Sequence, residues 1–176
     1  MENKDFKDRK LALVLVDIQN KFAYQTEGLL NGMSSRLGKV NEAIDLFRET
    51  GNPVIFVFFD GDGHCTMKRV ENPDELFGGL TMKDGDLKVN KTQMNSFRDS
   101  DLAKVIKECG CDGIVIAGLV AQYCVIATYF GAFDHDICPY MLKGGIAATD
   151  ENNVTHVEAI CKTVTVDEIK ENVHFI

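Results

Sequence analysis

Six consecutive apolar residues closed by a carboxylate, Leu11–Asp17 (LALVLVD), set the tightest limit on what this chain can become. The run is far too short to cross a bilayer. It is apolar on both faces, so it does not suit a strand with one side in water. Such a strand belongs inside a parallel sheet covered by helices on both sides.

The rest of the chain fits that setting. Ser34–Thr50 places Leu37, Val40, Ala43, Ile44 and Phe47 at helical spacing, and Gly51-Asn52-Pro53 stops it. Val54–Phe59 reads as a second strand and Asp86–Asn90 as a third, shorter one. Ser100–Glu108 is predicted helical, with Asp99 or Ser100 as N-cap, and Gly113–Ala117 is a fourth strand. Gln122–Phe133 carries small and apolar residues around much of its circumference and reads as a buried helix. Asp136–Leu142 is a fifth strand, Asp150–Cys161 a helix capped by Asp150, and Thr163–Val166 a sixth strand before a short last helix. Strands and helices alternating through short connections predict an α/β fold: a three-layer α/β/α sandwich around a six-stranded, mainly parallel sheet. No repeat or Pro/Gly-rich linker divides the 176 residues, so residues 1–176 read as one domain.

The formal net charge of -8 comes from scattered acidic residues and argues against a nucleic-acid partner. No membrane segment is visible, and Met1–Lys10 lacks the apolar stretch of a secretory signal. A cytoplasmic location is therefore expected, where disulfides are rare. The six cysteines form no CxxC pair, and Cys109-Gly110-Cys111 is too tight for a zinc knuckle. Neither a structural metal nor a cofactor is expected.

In open parallel sheets, ligands bind beyond the carboxyl ends of the strands, near the point where strand order reverses. Chemistry-bearing residues should then follow strands one, three and four. Asp17 closes the first strand, Lys91 follows the third, and Cys124 lies just after the fourth, near the start of the buried helix. Taken singly, each has a plain reading: a turn cap, a surface lysine, a small packing residue. Together they suit nucleophilic catalysis. A thiolate attacks far better than a thiol, and a helix N-terminus and a nearby ammonium both favour it. Lys91 is thus expected to lower the thiol pKa. Asp17 would take the thiol proton, return it to a leaving amine and then activate water.

Three segments carry a family resemblance: LVLVDIQNKF (Leu13–Phe22), KTQMNSF (Lys91–Phe97) and AGLVAQYCV (Ala117–Val125). Over about Leu11 to Glu168 the chain resembles the isochorismatase-like cysteine hydrolases, which include nicotinamidases and N-carbamoylsarcosine amidohydrolases. The resemblance implies a triad of Asp17, Lys91 and Cys124 in a six-stranded α/β/α sandwich. It also implies a non-proline cis peptide between Leu119 and Val120, with an oxyanion hole formed by the N–H groups of Val120 and Cys124.

The sequence departs from that pattern in two places. The loop before the nucleophile often carries a polar triplet such as Ala-Thr-Asp; here it reads Val120-Ala121-Gln122. Nicotinamidases carry a metal-binding Asp-x-His after the second strand; here Phe59 fills the expected Asp slot, and Asp62-Gly63-His64 is displaced along the next loop. A cysteine at position 124 argues against isochorismatase activity itself, because that branch implies a different residue there. Gln19, Phe22, Phe59, Met94, Phe97 and Tyr123 are expected to line a small substrate pocket suited to a planar amide or related carbonyl compound. Phe22 and Phe97 read equally well as core residues. The segment between Asp60 and Asp86 resembles a region that forms lids or subunit contacts in relatives, so a homo-oligomer is expected. The competing reading is a catalytically silent relative that binds a small molecule or partner in the same pocket. A nucleotide-binding domain is disfavoured, because no Gly-rich phosphate loop follows any strand.

Overall fold

The computed structural model describes residues 6–61 and 68–172. Its six strands are β1 (Leu11–Val16), β2 (Val54–Phe59), β3 (Leu87–Lys91), β4 (Gly113–Leu119), β5 (Cys138–Ala147) and β6 (Thr163–Val164). They form one sheet in the order β3-β2-β1-β4-β5-β6, and every pairing is parallel. The helices are α1 (Asn20–Ala23), α2 (Glu27–Glu49), α3 (Leu102–Glu108), α4 (Ile126–Phe133), α5 (Glu151–Ile160) and α6 (Val166–Asn172).

β1 shows why the sheet is buried on both sides. Leu11, Leu13 and Leu15 enter the core under α2 and α6, while Ala12, Val14 and Val16 enter the opposite core under α3, α4 and α5. That alternation is the pleat of a strand acting on a sequence apolar at every position. Strand order reverses between β1 and β4, so the crevice of an open sheet opens at their carboxyl ends. No helix among the described residues is long and apolar enough to cross a membrane.

Three elements differ from the sequence expectation, each for a physical reason. The second helix starts at Glu27 rather than Ser34, with Thr26 Oγ1 accepting from the Leu29 N–H at 3.1 Å. Gly28 and Gly32 weaken helix propensity in those first turns. Gly28 is nonetheless required there, because a Cβ at that position would stand 2.1 Å from the Thr149 carbonyl oxygen. β5 runs on to Ala147 through Lys143-Gly144-Gly145, which reads as a turn; Gly144 takes φ 70° and the register against β4 shifts between Ile116 and Gly118. The expected helix over Gln122–Phe133 opens as a wider turn, Ala121–Val125, in which the Val125 N–H reaches back five residues to the Val120 carbonyl at 3.3 Å. Such widened turns recur at functional sites. As expected, Asp150 caps α5, its Oδ1 accepting from the Asn152 N–H at 2.8 Å.

Candidate active site

Four neighbouring strand ends build the site. In the order β3, β2, β1, β4 they present Lys91, Phe59, Asp17 and the Leu119–Val120 peptide. Lys91 and Phe59 are register partners, and the Asp17 N–H donates to the Val57 carbonyl at 3.0 Å, which ties the end of β1 to β2. Parallel strands lie ~4.8 Å apart, so β3 and β1 stand roughly twice that distance from one another. Only a long side chain crosses such a gap. Lys91 does so, passing over Phe59 with its Nζ 5.6 Å from the ring centroid and 2.8 Å from Asp17 Oδ2. Its Nζ also donates to the Met94 carbonyl at 3.0 Å.

β4 approaches β1 closely because of Gly118. It sits at φ 130°, and an added Cβ would lie 2.1 Å from the Val16 carbonyl oxygen. The next peptide, Leu119–Val120, is cis, as the resemblance implies. The Val120 carbonyl accepts from the Tyr123 and Val125 N–H groups at 2.9 and 3.3 Å, and this folds the wide turn that carries Cys124. Asp17 itself takes φ 52°, a conformation that turns the chain sharply out of β1.

Asp17 and Lys91 are sealed at 0% and 1% exposure, and Cys124 retains 8%. Cys124 is therefore the least buried residue of the trio. Burial raises the Asp17 pKa above its ordinary 3.8; Lys91, the Cys124 thiol and Lys21 oppose that rise. The Lys91 ammonium pairs with Asp17 Oδ2 at 2.8 Å, and the Cys124 thiol acts on the same carboxyl group.

Lys91 lowers the thiol pKa, as expected, but it is outweighed. Burial, and then the Asp17 charge, push Cys124 up to about 12, and Lys91 pulls it down only in part. Burial and the Asp17 charge both favour the thiol over the thiolate in the resting site. Desolvation and the charge of the facing carboxylate outweigh the ammonium.

The remaining pocket candidates divide. The Gln19 side chain is buried and clamps the end of β2: its Oε1 accepts from the Phe59 N–H at 2.8 Å and its Nε2 donates to the Phe59 carbonyl at 3.4 Å. Phe22 meets Phe59 edge-to-face, ring centroids 5.7 Å apart, which makes an aromatic wall beside Lys91. Met94 contributes its carbonyl to Lys91 and exposes its side chain. Tyr123 stands exposed on the wide turn. Phe97 is a core residue stacked on His135 at 5.1 Å. Of the altered loop triplet, Gln122 Nε2 donates to Thr149 Oγ1 at 2.8 Å, tying the turn to the end of β5. Phe59 offers no donor atom in the slot where the resemblance implies a metal-binding Asp, and Asp62 and His64 lie outside the described residues. Among the described residues no three His, Cys, Asp or Glu side chains gather as a metal site.

Two features escaped the sequence reading. Ser96 and Thr128, both buried, bond through their hydroxyls at 2.7 Å and pin the loop after β3 to α4. Lys21 is also buried, and its charge is felt at Asp17. A lysine amid Gln19, Asn20 and Gln25 has the local pattern of a solvated residue. Its side-chain partners, Gly61 and Asp74, are forty or more residues away, and no local signal links them to α1.

A parallel α/β/α sandwich with an acid, an amine and a thiol gathered at its switch point has the make-up of a cysteine hydrolase. The sequence pattern described as the isochorismatase domain matches residues 11–166, and the chain belongs to that family of hydrolases. It is similar to a secreted isochorismatase effector of Verticillium dahliae, 27% identical over 117 residues, which cover 66% of this chain and 61% of the effector. A protein of Arabidopsis thaliana described as a probable inactive nicotinamidase is 27% identical over 172 residues, covering 85% of this chain and 87% of that protein. The crystal structure of N-carbamoylsarcosine amidase from Thermoplasma acidophilum superimposes with a TM-score of 0.76 at 25% identity, covering 92% of this chain and 99% of the amidase.

Proposed function

We propose that the protein hydrolyses the C–N bond of a small amide or related carbonyl compound through a thioester on Cys124. The observation that carries this reading is the sealed Asp17–Lys91 ion pair at 2.8 Å, with the least buried member of the trio, the Cys124 thiol, alongside it. A buried ion pair costs desolvation and is a poor route to stability, so its place beside a thiol at the sheet's switch point favours chemistry.

The resting thiol sets the order of events. As the substrate carbonyl arrives, Cys124 Sγ attacks its carbon and Asp17 takes the thiol proton in the same step, so no free thiolate accumulates. The Val120 and Cys124 N–H groups hold the oxyanion. The C–N bond breaks as Asp17 returns the proton to the departing amine, which leaves the acyl group on sulfur. Water then attacks the thioester, Asp17 takes its proton, and the acid departs as the thiol is restored. Lys91 keeps Asp17 oriented and offsets negative charge throughout. Phe22 and Phe59 provide a flat wall for a planar substrate, and Gln19 holds that wall in place.

A coupled ammonia-release screen over small amides tests the proposal. Turnover in the wild type that disappears in Cys124→Ala supports it; turnover that survives in Cys124→Ala refutes it. The second reading, a silent binding domain, is favoured by the raised thiol pKa and by the similarity to a relative described as inactive. It predicts stabilisation by small amides with no ammonia release.

Two smaller proposals accompany the first. Cys109, Cys111, Cys124, Cys138 and Cys161 are free thiols, which favours a reducing, cytoplasmic setting. Exposed Phe130 and Phe133 on α4, with Tyr123 nearby in sequence, favour a homo-oligomer, which sedimentation equilibrium would read as a mass above 19.6 kDa.

A further inference from the structure

Residues 68–77 run past α1 as an irregular strap. The Asn20 N–H donates to the Glu75 carbonyl and the Lys21 N–H to the Pro73 carbonyl, both at 2.9 Å, and Gln19 bridges antiparallel to Leu76. Under the strap lies the Lys21 ammonium, on a residue only 8% exposed. Its Nζ donates to the Gly61 carbonyl at 3.1 Å and to Asp74 Oδ1 at 2.6 Å. It also lies over the two aromatic rings of the proposed pocket wall, 6.0 Å from Phe22 and 5.8 Å from Phe59. Lys91 holds its own ammonium 5.6 Å from the same Phe59 ring. The two cations therefore share one aromatic side chain and stand at most about 11 Å apart.

The partners of Lys21 are unequal. Its own side chain is 10% exposed, whereas that of Asp74 is 77% exposed. A buried ammonium requires a counter-charge, but a carboxylate mostly in water is held weakly and can swing away. The Lys21 charge also bears on Asp17, so it is coupled to the reacting groups.

We propose that Lys21 is a specificity residue that selects substrates bearing a carboxylate near the scissile amide, and that Asp74 occupies the place of that carboxylate in the free protein. This rests on the hydrolase reading for its meaning, but the binding preference can be measured without turnover. The substrate class is the short half-amide: an amide at one end and a carboxylate at the other. The amide carbonyl sits at Cys124, the chain lies along Phe22 and Phe59, and the carboxylate pairs with Lys21 while Asp74 moves into water.

Calorimetric titration of the Cys124→Ala protein with oxamate, malonamate, succinamate and glutaramate, each beside its neutral diamide, tests the proposal. At least one half-amide should bind about tenfold or more tightly than its diamide, the gain expected of one charge-assisted contact. Adding Lys21→Met should bring that preference close to unity, and Lys21→Arg should restore part of it. Asp74→Asn, a change at an exposed side chain, should widen the preference severalfold by removing the competing carboxylate. Equal affinity for half-amides and diamides, no binding by any of them, a preference that survives Lys21→Met, or one that narrows with Asp74→Asn would each overturn the proposal. Ammonia release by protein with Cys124 intact reads the hydrolase reading separately. Half-amide preference without turnover sinks hydrolysis alone; turnover of neutral amides without carboxylate preference sinks the role of Lys21 alone.

Discussion

Asp17→Asn removes a charge while keeping the side-chain volume, and it should drive thiol reactivity and turnover in opposite directions. In the resting site, burial and then the Asp17 carboxylate push the Cys124 thiol up to about 12, with Lys91 pulling the other way. At about pH 7.5, such a thiol is almost wholly protonated. Asparagine leaves the Lys91 ammonium unopposed. A return to the ordinary value of 9.0 would raise the thiolate fraction by about three orders of magnitude. A less basic thiolate is a poorer nucleophile, and a Brønsted coefficient of ~0.45 cancels nearly half of that exponent. The ceiling on faster alkylation is therefore about a hundredfold, and because the sulfur stays buried the expected gain is nearer tenfold. Turnover should fall by about a thousandfold, because nothing remains to accept and return the proton. Iodoacetamide labelling of the Cys124 peptide, timed by mass spectrometry beside an ammonia assay, reads both rates. Slower labelling in Asp17→Asn, or a loss of turnover below tenfold, would refute the general-base account.

Gly118→Ala should destabilise the fold by about 3 kcal/mol or more in urea titration, because its Cβ would stand 2.1 Å from the Val16 carbonyl oxygen at a φ of 130°; a loss under ~1 kcal/mol would contradict the close approach of β1 and β4. Gln19→Ala leaves the Phe59 N–H, now bonded at 2.8 Å, without its partner, and should cost about 2 kcal/mol while increasing amide exchange at Phe59. Unchanged exchange there would argue against the clamp. The Cys124 thiol, raised from 9.0 to about 12, holds its proton more tightly folded than unfolded. Its contribution to stability is therefore complete below pH 9 and lost as pH rises towards 12. The melting-temperature gap, wild type minus Cys124→Ala, should shrink steadily above pH 9, and a constant or growing gap would count against the burial of that thiol.

The sheet was legible in the sequence because burial on both faces leaves a strong mark. LALVLVD and VIFVFF read as covered strands, and the helix-bearing connection between them is long enough for a parallel crossover. The rule that ligands gather at strand ends singled out Asp17, Lys91 and Cys124, and the structure places Asp17 and Lys91 2.8 Å apart with Cys124 alongside. Long-range packing set what could not be read. Gly28 and Gly32 look like helix breakers until Thr149 is seen to occupy the space a Cβ would need at Gly28. Gly144-Gly145 looks like a turn until β4 supplies the partner that carries β5 onward. The ionisation of the thiol depended on desolvation and on a facing carboxylate, neither of which is a property of local sequence. Lys21 went unnoticed for the same reason: its partner Asp74 is contributed from about fifty residues away.

The central claim is that sulfur at position 124 forms a covalent bond to the acyl group. Acid quenching during turnover of any amide found to be a substrate, followed by peptide mass spectrometry, measures this directly. The account predicts a transient acyl adduct on the peptide containing Cys124, absent from Cys124→Ala and accumulating when hydroxylamine and other competing nucleophiles are withheld. Full turnover with no adduct at that peptide, undiminished in Cys124→Ala, would contradict it.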